Sequence, residues 1–453
     1  MARKDLGLAQ KFYEINSIDP ELFVRFDVKR GLRNIDGTGV MAGLTNIANV
    51  HGYIIVDGEK CPTEGRLFYR GYDICNLVDT HIVDKRMNFE EIVYLLLMGE
   101  LPTSEELATL VAQLDKKREL PNGFTASLIM KDTPPDLMNI LTRSVLLLYA
   151  ADKRAEDRSP EHEISTALSL ISRLPRIMVL GYYAKQARFM GGSMIMHRFI
   201  PGQSTAETIL SMLRPDREFT TEEARMLDVM LSIHAEHGGG NNSTFTARTL
   251  TSADTDAYST YAAAIGSLKG LRHGGANSQV RAQQLDIKTN VKRWDDEGEV
   301  ADYLEKIIRK DAFDQTGLIY GMGHAVYTMS DPRAEICKIH AERLAKDTEF
   351  EAELALLELV ERLTPEVFSR VKGGSKVLCA NVDMYSGFVY SMLGIPDDLF
   401  TPLFASARMA GWAAHRFEEI VSGKRIIRPA YKSTDIEERE YVAMNERVTQ
   451  YGE

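Results

Sequence analysis

A mainly α-helical fold with a small β element near the amino terminus is predicted by three observations. Apolar residues recur at helical spacing along most of the chain, two segments open on capping-box spacings, and strand-forming runs flank a turn in one place. The strand signals come first, at Tyr53–Val56 and Arg66–Tyr69, around the turn residues Asp57 and Gly58. From Phe89, the residues Ile92, Val93, Leu96 and Leu97 fall at i+3, i+4, i+7 and i+8, which makes one apolar helical face. Thr103 starts the next helix: its hydroxyl and Glu106 have capping-box spacing, and Leu107, Leu110, Val111 and Leu114 follow as a stripe. The same grammar recurs at Thr220 with Glu223, and the spacing places Met226, Met230, Ile233 and His237 on one face of that helix. The run Tyr385–Leu393 meets Gly394 and Pro396, a helix stop. Asp132–Pro135, Asp152–Glu163 and Asp286–Gly298 read as surface connections. No repeat period and no low-complexity tract interrupt this pattern.

At 453 residues the chain suggests roughly three units at about 150 residues each, with one or two still open. Hydrophobic residues at 44% and charged residues at 26% match an ordinary globular protein and exclude collagen-like, disordered and disulfide-scaffold chains. Lys and Arg number 54 against 65 Asp and Glu, a net charge of −11, so the surface should repel nucleic acid and anionic membrane. An anionic substrate then requires a local cluster of arginines. Cys61, Cys75, Cys337 and Cys379 are scattered without CxxC spacing, which indicates neither zinc nor disulfides and suits a reducing cytoplasm. The first residues lack the features of a signal or transit peptide, and no run approaches the length of a membrane span.

Several histidines lie in glycine-rich segments: His237-Gly-Gly-Gly240, His273-Gly-Gly-Ala-Asn277 and Gly321-Met-Gly-His324. Glycine lets the backbone approach a ligand and leaves an imidazole uncrowded, although a single His-Gly pair is more often a capped turn with a hydrogen-bonded core histidine. His234 and His237 at i and i+3 of the expected helix could pair on a metal, but the spacing is not HExxH and no third ligand is nominated. Neither a phosphate-binding glycine loop nor a GxSxG elbow is present, and Asn241-Asn-Ser-Thr244 has no secretory context that would make it a glycosylation site.

Four segments in order carry a larger pattern: Ile233-His-Ala-Glu-His237 with Asn241, Leu271-Arg-His-Gly-Gly-Ala-Asn277, Gly321-Met-Gly-His-Ala-Val326 running to Asp331-Pro-Arg333, and Asn381-Val-Asp383 with Ser386-Gly387. Together they resemble the citrate synthase family, and the likeness continues through Phe400-Thr-Pro and Ala405-Ser-Ala-Arg408 to Arg428-Pro429. Tyr69-Arg-Gly-Tyr-Asp-Ile74 is similar to the family's amino-terminal signature, so the resemblance runs from about residue 30 to the end.

The resemblance implies a large helical domain from 1–277 and 391–453, with a small helical domain, 278–390, inserted between and closing over a cleft. It implies condensation of acetyl-CoA with oxaloacetate and hydrolysis of citryl-CoA, as in the tricarboxylic acid cycle. No metal or cofactor is called for beyond the thioester substrate. The family pattern matches Asp383 to the base, His273 to the donor on the thioester oxygen and His324 to the partner of the oxaloacetate carbonyl. These residue types suit the chemistry, because methyl deprotonation needs a carboxylate and the developing enol needs a donor. Arg333, Arg408 and Arg428 match the carboxylate clamp, with His237 completing it, and guanidinium forks suit two carboxylates. Lys376, with Gly321 and Gly323, matches the CoA site. A homodimer sharing Arg428 across the interface is implied as well.

Two positions depart from the pattern. Thr328 stands where relatives often carry Arg or Lys, and Gly238 where an acidic residue often follows the histidine. Within the class, 2-methylcitrate synthase on propionyl-CoA stays open, since one methylene in an apolar pocket discriminates by only about 1–3 kcal/mol. From other classes, a non-catalytic CoA- or carboxylate-binding relative would be expected to have lost Asp383 or a histidine, and a metal-dependent lyase would require activity sensitive to a chelator.

Overall fold

In the computed structural model, which describes residues 16–34, 36–84, 86–373, 377–434 and 440–447, Asp57 and Gly58 both take positive φ (52° and 84°). That is the backbone a tight hairpin needs. Strand β1 (Ala48–Val56) therefore turns directly into antiparallel β2 (Glu59–Tyr69), and β3 (Tyr72–Asp73) adds a short third strand. Both long strands extend beyond the predicted runs, with a register irregularity between His51 and Tyr53.

Helices dominate the rest of the described chain. They are α1 (Pro20–Arg25), α2 (Ile74–Asp84), α3 (Phe89–Met98), α4 (Ser104–Lys117), α5 (Leu137–Ala151), α6 (Pro160–Phe189), α7 (Thr205–Leu213) and α8 (Thr221–His234). They continue as α9 (Asn242–Ser252), α10 (Ala257–Leu268), α11 (Ala276–Asn290), α12 (Glu297–Arg309), α13 (Pro332–Ala345), α14 (Glu351–Lys372), α15 (Asp383–Met392) and α16 (Phe400–Ser422). The predicted starts are present. Thr103 and Glu106 cap α4 reciprocally (2.8 and 3.3 Å), Thr220 and Glu223 do the same for α8 (2.7 and 3.2 Å), and α15 stops before Gly394 at φ 67°.

Three expectations are corrected. Helix α8 ends at His234, so His237 lies beyond it on a turn and the i, i+3 pairing on one helix does not exist. Asp286 lies inside α11, and Pro160, preorganised for a first helical position, opens α6, so both connections are shorter than expected. Helix α6, at 30 residues, is by length and composition apolar enough to cross a membrane; most of that stretch is instead buried in the protein, against α5, α7 and α16.

The chain forms two units, the segments up to Met41 and from Ile427 making one and Ala42–Ile426 the other. In the first, Asp19 caps α1 through the Glu21 N–H (2.9 Å), and the Lys432 ammonium lies 5.2 Å from the Phe26 ring centre. In the second, α16 is the axis of the core. It packs on α3, α6, α8 and α9, and Ala405, Ala407, Ala410, Ala413, Ala414 and Trp412 are all sealed from solvent. A helix lined with alanine on several sides lets neighbours approach closely from each of them. Residues of α11 to α15 pack among themselves, α12 on α14, α13 on α15 and α11 on α15.

Candidate active site

The turn after α8 is where the core helix and the hairpin meet. Gly411 of α16 lies so close to it that a Cβ there would stand 2.2 Å from Glu236 Oε2 and 2.4 Å from the Ala235 carbonyl, so only glycine fits. From the other side Tyr69, the last residue of β2 and sealed from solvent, donates its hydroxyl to the Glu236 carbonyl (2.9 Å) and accepts the Glu236 N–H (3.2 Å). The Glu236 carboxylate is buried too, bonded to His415 Nε2 (2.8 Å) and to the Gly238 N–H. Burial raises its affinity for a proton, but His415 and Arg408 outweigh that and hold its pKa below the usual glutamate range. Gly238 takes φ 82°, a backbone that glycine adopts without strain, and so completes the turn. Held this way, the His237 ring faces His324, 5.2 Å between centroids, and its Nε2 lies 3.3 Å from the Tyr327 hydroxyl.

His324 sits in a loop whose glycines are required by its shape. Gly321 and Gly323 have φ of 84° and 90°, and the loop is pinned to the 379–381 segment by Gly323 N–H to Cys379 (2.7 Å) and Asn381 N–H to Gly321 (2.8 Å). The Val326 and Tyr327 N–H groups both donate to His324 Nδ1, at 3.1 Å each. With Nδ1 an acceptor, a neutral ring carries its proton on Nε2. The loop leads to Asp331, which caps α13 and grips Arg333 with both oxygens, 3.0 Å to Nε and 2.7 Å to Nη2.

Asp383 is the first residue of α15, with its N–H bonded to Asn381 Oδ1 (3.0 Å) and its carboxylate 3.3 Å from Asn277 Nδ2. It is half-buried. Burial pushes its pKa up to about 6, partly offset by Arg333 and Asn277, so this carboxylate titrates near neutrality. His273 lies on the turn before α11, its Nε2 3.1 Å from Ser243 Oγ, and that oxygen also meets Trp412 Nε1 (3.2 Å) and Asn241 Oδ1 (2.9 Å). Burial, aided by the charge of Arg408, pushes the His273 imidazole down to about 4. His237 is driven well below its ordinary value by burial, then by Arg333, His324 and Arg408. Both rings are neutral at pH 7 and can donate a hydrogen bond without carrying charge.

Arg408, in α16, is sealed from solvent. Its Nε donates to the His234 carbonyl at 2.7 Å and its guanidinium lies 4.7 Å from the Phe404 ring centre, while Nη1 and Nη2 have no hydrogen-bond partner among the described residues. Burial brings this guanidinium down to about 10 against the opposing pull of Glu236. A buried cationic fork with two open donors is costly unless an anion meets it.

The structure thus gathers His237, His273, His324, Arg333, Arg408 and Asp383 into one neighbourhood, with Gly321 and Gly323 shaping the loop that carries His324. Arg428 is exposed in the terminal unit, and Lys376 lies outside the described residues. Sequence reading missed Tyr327 and His415 as site neighbours; Glu236, Ser243, Asn277 and Asp331 stood inside the quoted segments and could have been singled out from them. Among the described residues no three His, Cys, Asp or Glu side chains are grouped as metal ligands, and His234 turns its ring to Phe404 at 4.5 Å, away from the His237–His324 pair.

A sequence model of the family described as citrate synthase, C-terminal domain, matches residues 34–430. The citrate synthase of Deinococcus radiodurans is 34% identical over 80% of this chain and 89% of its own. A 2-methylcitrate synthase of Corynebacterium glutamicum is 31% identical over 93% of this chain and 98% of its own. Among solved structures, a citrate synthase of Thermoplasma acidophilum in ternary complex with carboxymethyl coenzyme A and oxaloacetate superposes with a TM-score of 0.74 at 27% identity, covering 92% of this chain and 99% of its own.

Proposed function

This chain belongs to the citrate synthase family and is an enzyme, a transferase of that type, and we propose that it condenses acetyl-CoA with oxaloacetate through an enol and hydrolyses the citryl-CoA formed to citrate and CoA. The observation that carries this reading is the pair of open donors on buried Arg408, beside neutral histidines and a carboxylate with a raised pKa. A dianion with a reactive carbonyl fits such a site.

In this reading Arg408 and Arg333 hold the oxaloacetate carboxylates, Arg333 through the nitrogen not engaged by Asp331, with His237 alongside. Asp383 removes a proton from the thioester methyl group while His273 donates to the thioester oxygen, giving the enol without a free enolate charge. The enol carbon attacks the keto carbon of oxaloacetate, forming the carbon–carbon bond, as the His324 Nε2 proton passes to the keto oxygen to make the citryl hydroxyl and the enol proton returns to His273. Water then adds to the thioester, and CoA leaves as the thiol. The thioester is a substrate and no further cofactor is required. Gly321, Gly323 and Lys376 are assigned to the CoA side, Arg428 to the active site of a dimer partner, and 278–390 to a small domain closing on 1–277 and 391–453.

A second reading, propionyl-CoA in place of acetyl-CoA, is favoured by the likeness to 2-methylcitrate synthases. Thiol release measured with oxaloacetate and each acyl-CoA in parallel separates them. A higher kcat/KM with acetyl-CoA is expected; a preference for propionyl-CoA makes the second reading correct, and release with neither overturns both.

A further inference from the structure

The β1–β2 hairpin carries none of the residues assigned to the reaction, yet it is built to touch the loop that does. Gly52 sits at the register irregularity of β1, where a Cβ would stand 2.6 Å from Tyr327 Cα and 2.8 Å from the Val326 carbonyl oxygen. At Gly65 a Cβ would stand 2.1 Å from the Ser330 carbonyl oxygen. Each strand therefore meets the loop backbone to backbone, which is possible only at glycine. Two hydroxyls fasten the contact. Thr328 Oγ1 hydrogen-bonds to the Gly52 carbonyl, with the Thr63 carbonyl at 3.3 Å, while Ser330 Oγ accepts the Gly65 N–H at 3.0 Å and donates to the Glu64 carboxylate.

The contact reaches His324 in one step. Val326 and Tyr327, the residues backed by Gly52, supply the two N–H groups that hold His324 Nδ1. Any shift of the loop on the hairpin displaces both donors and turns the imidazole. We infer that the hairpin is a brace for this loop and that Thr328 is a positioning residue, its hydroxyl locking the loop so that His324 Nε2–H is aimed at the substrate carbonyl.

This inference rests on the proposed role of His324, so its test has an arm that does not. Thr328→Val keeps the shape and removes the donor. In the thiol-release assay kcat is expected to fall about tenfold, the scale of one net hydrogen bond, with KM for both substrates within about twofold, because the interaction is realised in the transition state. Thr328→Ser restores most of the rate. A lowered melting temperature with unchanged kcat would make the contact merely structural and overturn the inference. In parallel, hydrogen exchange of residues 322–330 should be faster in Thr328→Val than in wild type and normal in Thr328→Ser; unchanged exchange overturns the brace whatever the reaction proves to be. Wild type that releases thiol with neither acyl-CoA defeats the functional reading alone, and the exchange arm then decides the brace. Should Thr328→Val fail to fold, Ser330→Ala, which removes the bond to Gly65, is expected to show the same loss of kcat and faster exchange of the same segment; normal values in both would overturn the brace.

Discussion

Arg408 and Arg416 stand two turns apart on α16, both out of contact with solvent, and their surroundings are opposite. Arg416 is saturated: Glu163 takes Nε and Nη2 (2.8 and 2.7 Å), and Thr255 O, Thr260 Oγ1 and Thr251 Oγ1 gather around Nη1 at 3.0 to 3.3 Å. Burial alone would lower its pKa, but the bond to Glu163 holds it above the ordinary value. Arg408 has one carbonyl on Nε and, among the described residues, no hydrogen-bond acceptor on its two terminal nitrogens, and its pKa falls to about 10. A buried guanidinium with every donor met is finished as structure. One left open stores an unmet demand for an anion, and on the reading given above that demand is for a substrate carboxylate.

The carboxylates divide in the same way, and the largest test lies there. Glu163 is consumed by Arg416, whereas Asp383 keeps a pKa near 6 with one weak amide partner. On the proposed reading Asp383→Asn removes the base, and kcat should fall by about 10²–10⁴-fold. The fold should survive: the raised pKa means that ionising Asp383 opposes folding as pH rises through about 6, so the neutral amide removes a cost at pH 7. A circular-dichroism melt alongside single-turnover kinetics checks both, and near-normal turnover would break the assignment.

The two arginines should then dissociate cleanly. Arg408→Leu is expected to lower kcat/KM for oxaloacetate by about 10²–10³-fold at a much smaller cost in stability than Arg416→Leu, since Glu236, the buried carboxylate it faces, keeps its bond to His415. Arg416→Leu should do the reverse, destabilising by about 3–5 kcal/mol because Glu163 is left buried and alone, with normal activity per folded molecule. Denaturant titration and initial rates on both variants sharpen the comparison; equal losses of stability would erase it.

Smaller effects follow from titration. If Asp383 is the base, kcat/KM should fall about tenfold per pH unit below 6 and level off above 7. His273 and His237 are already neutral across that range and should add no limb. A profile flat down to pH 5 would break the reading. Smallest is the test of Arg428, the exposed arginine proposed to find its anion in a neighbouring subunit. Mixing Asp383→Asn and Arg428→Ala chains should restore activity to about one quarter of wild type, because half the dimers hold one intact site of two. Verified exchange without recovery places Arg428 in its own chain's service.

What the sequence determined by itself is what depends on neighbours a few residues away. Thr103 with Glu106, Thr220 with Glu223, Asp57-Gly58 and Gly394 act within one turn of the chain, so their helices, hairpin and stop were legible; Ser204 with Glu207, which opens α7 by the same box, was equally legible and went unread. The resemblance nominated the site residues, and the structure brings six of them together. It overestimated α8, because periodicity continues through His237 while Glu236 and Gly238 form a turn held by His415 and Tyr69, 179 and 167 residues away in sequence. Only the tertiary structure decided which of the two buried arginines is spent and which is open. The carboxylate that holds Arg416 lies 253 residues upstream and the carbonyl that holds Arg408 lies 174 upstream, and no local pattern encodes a pairing that chain folding alone brings within 3 Å.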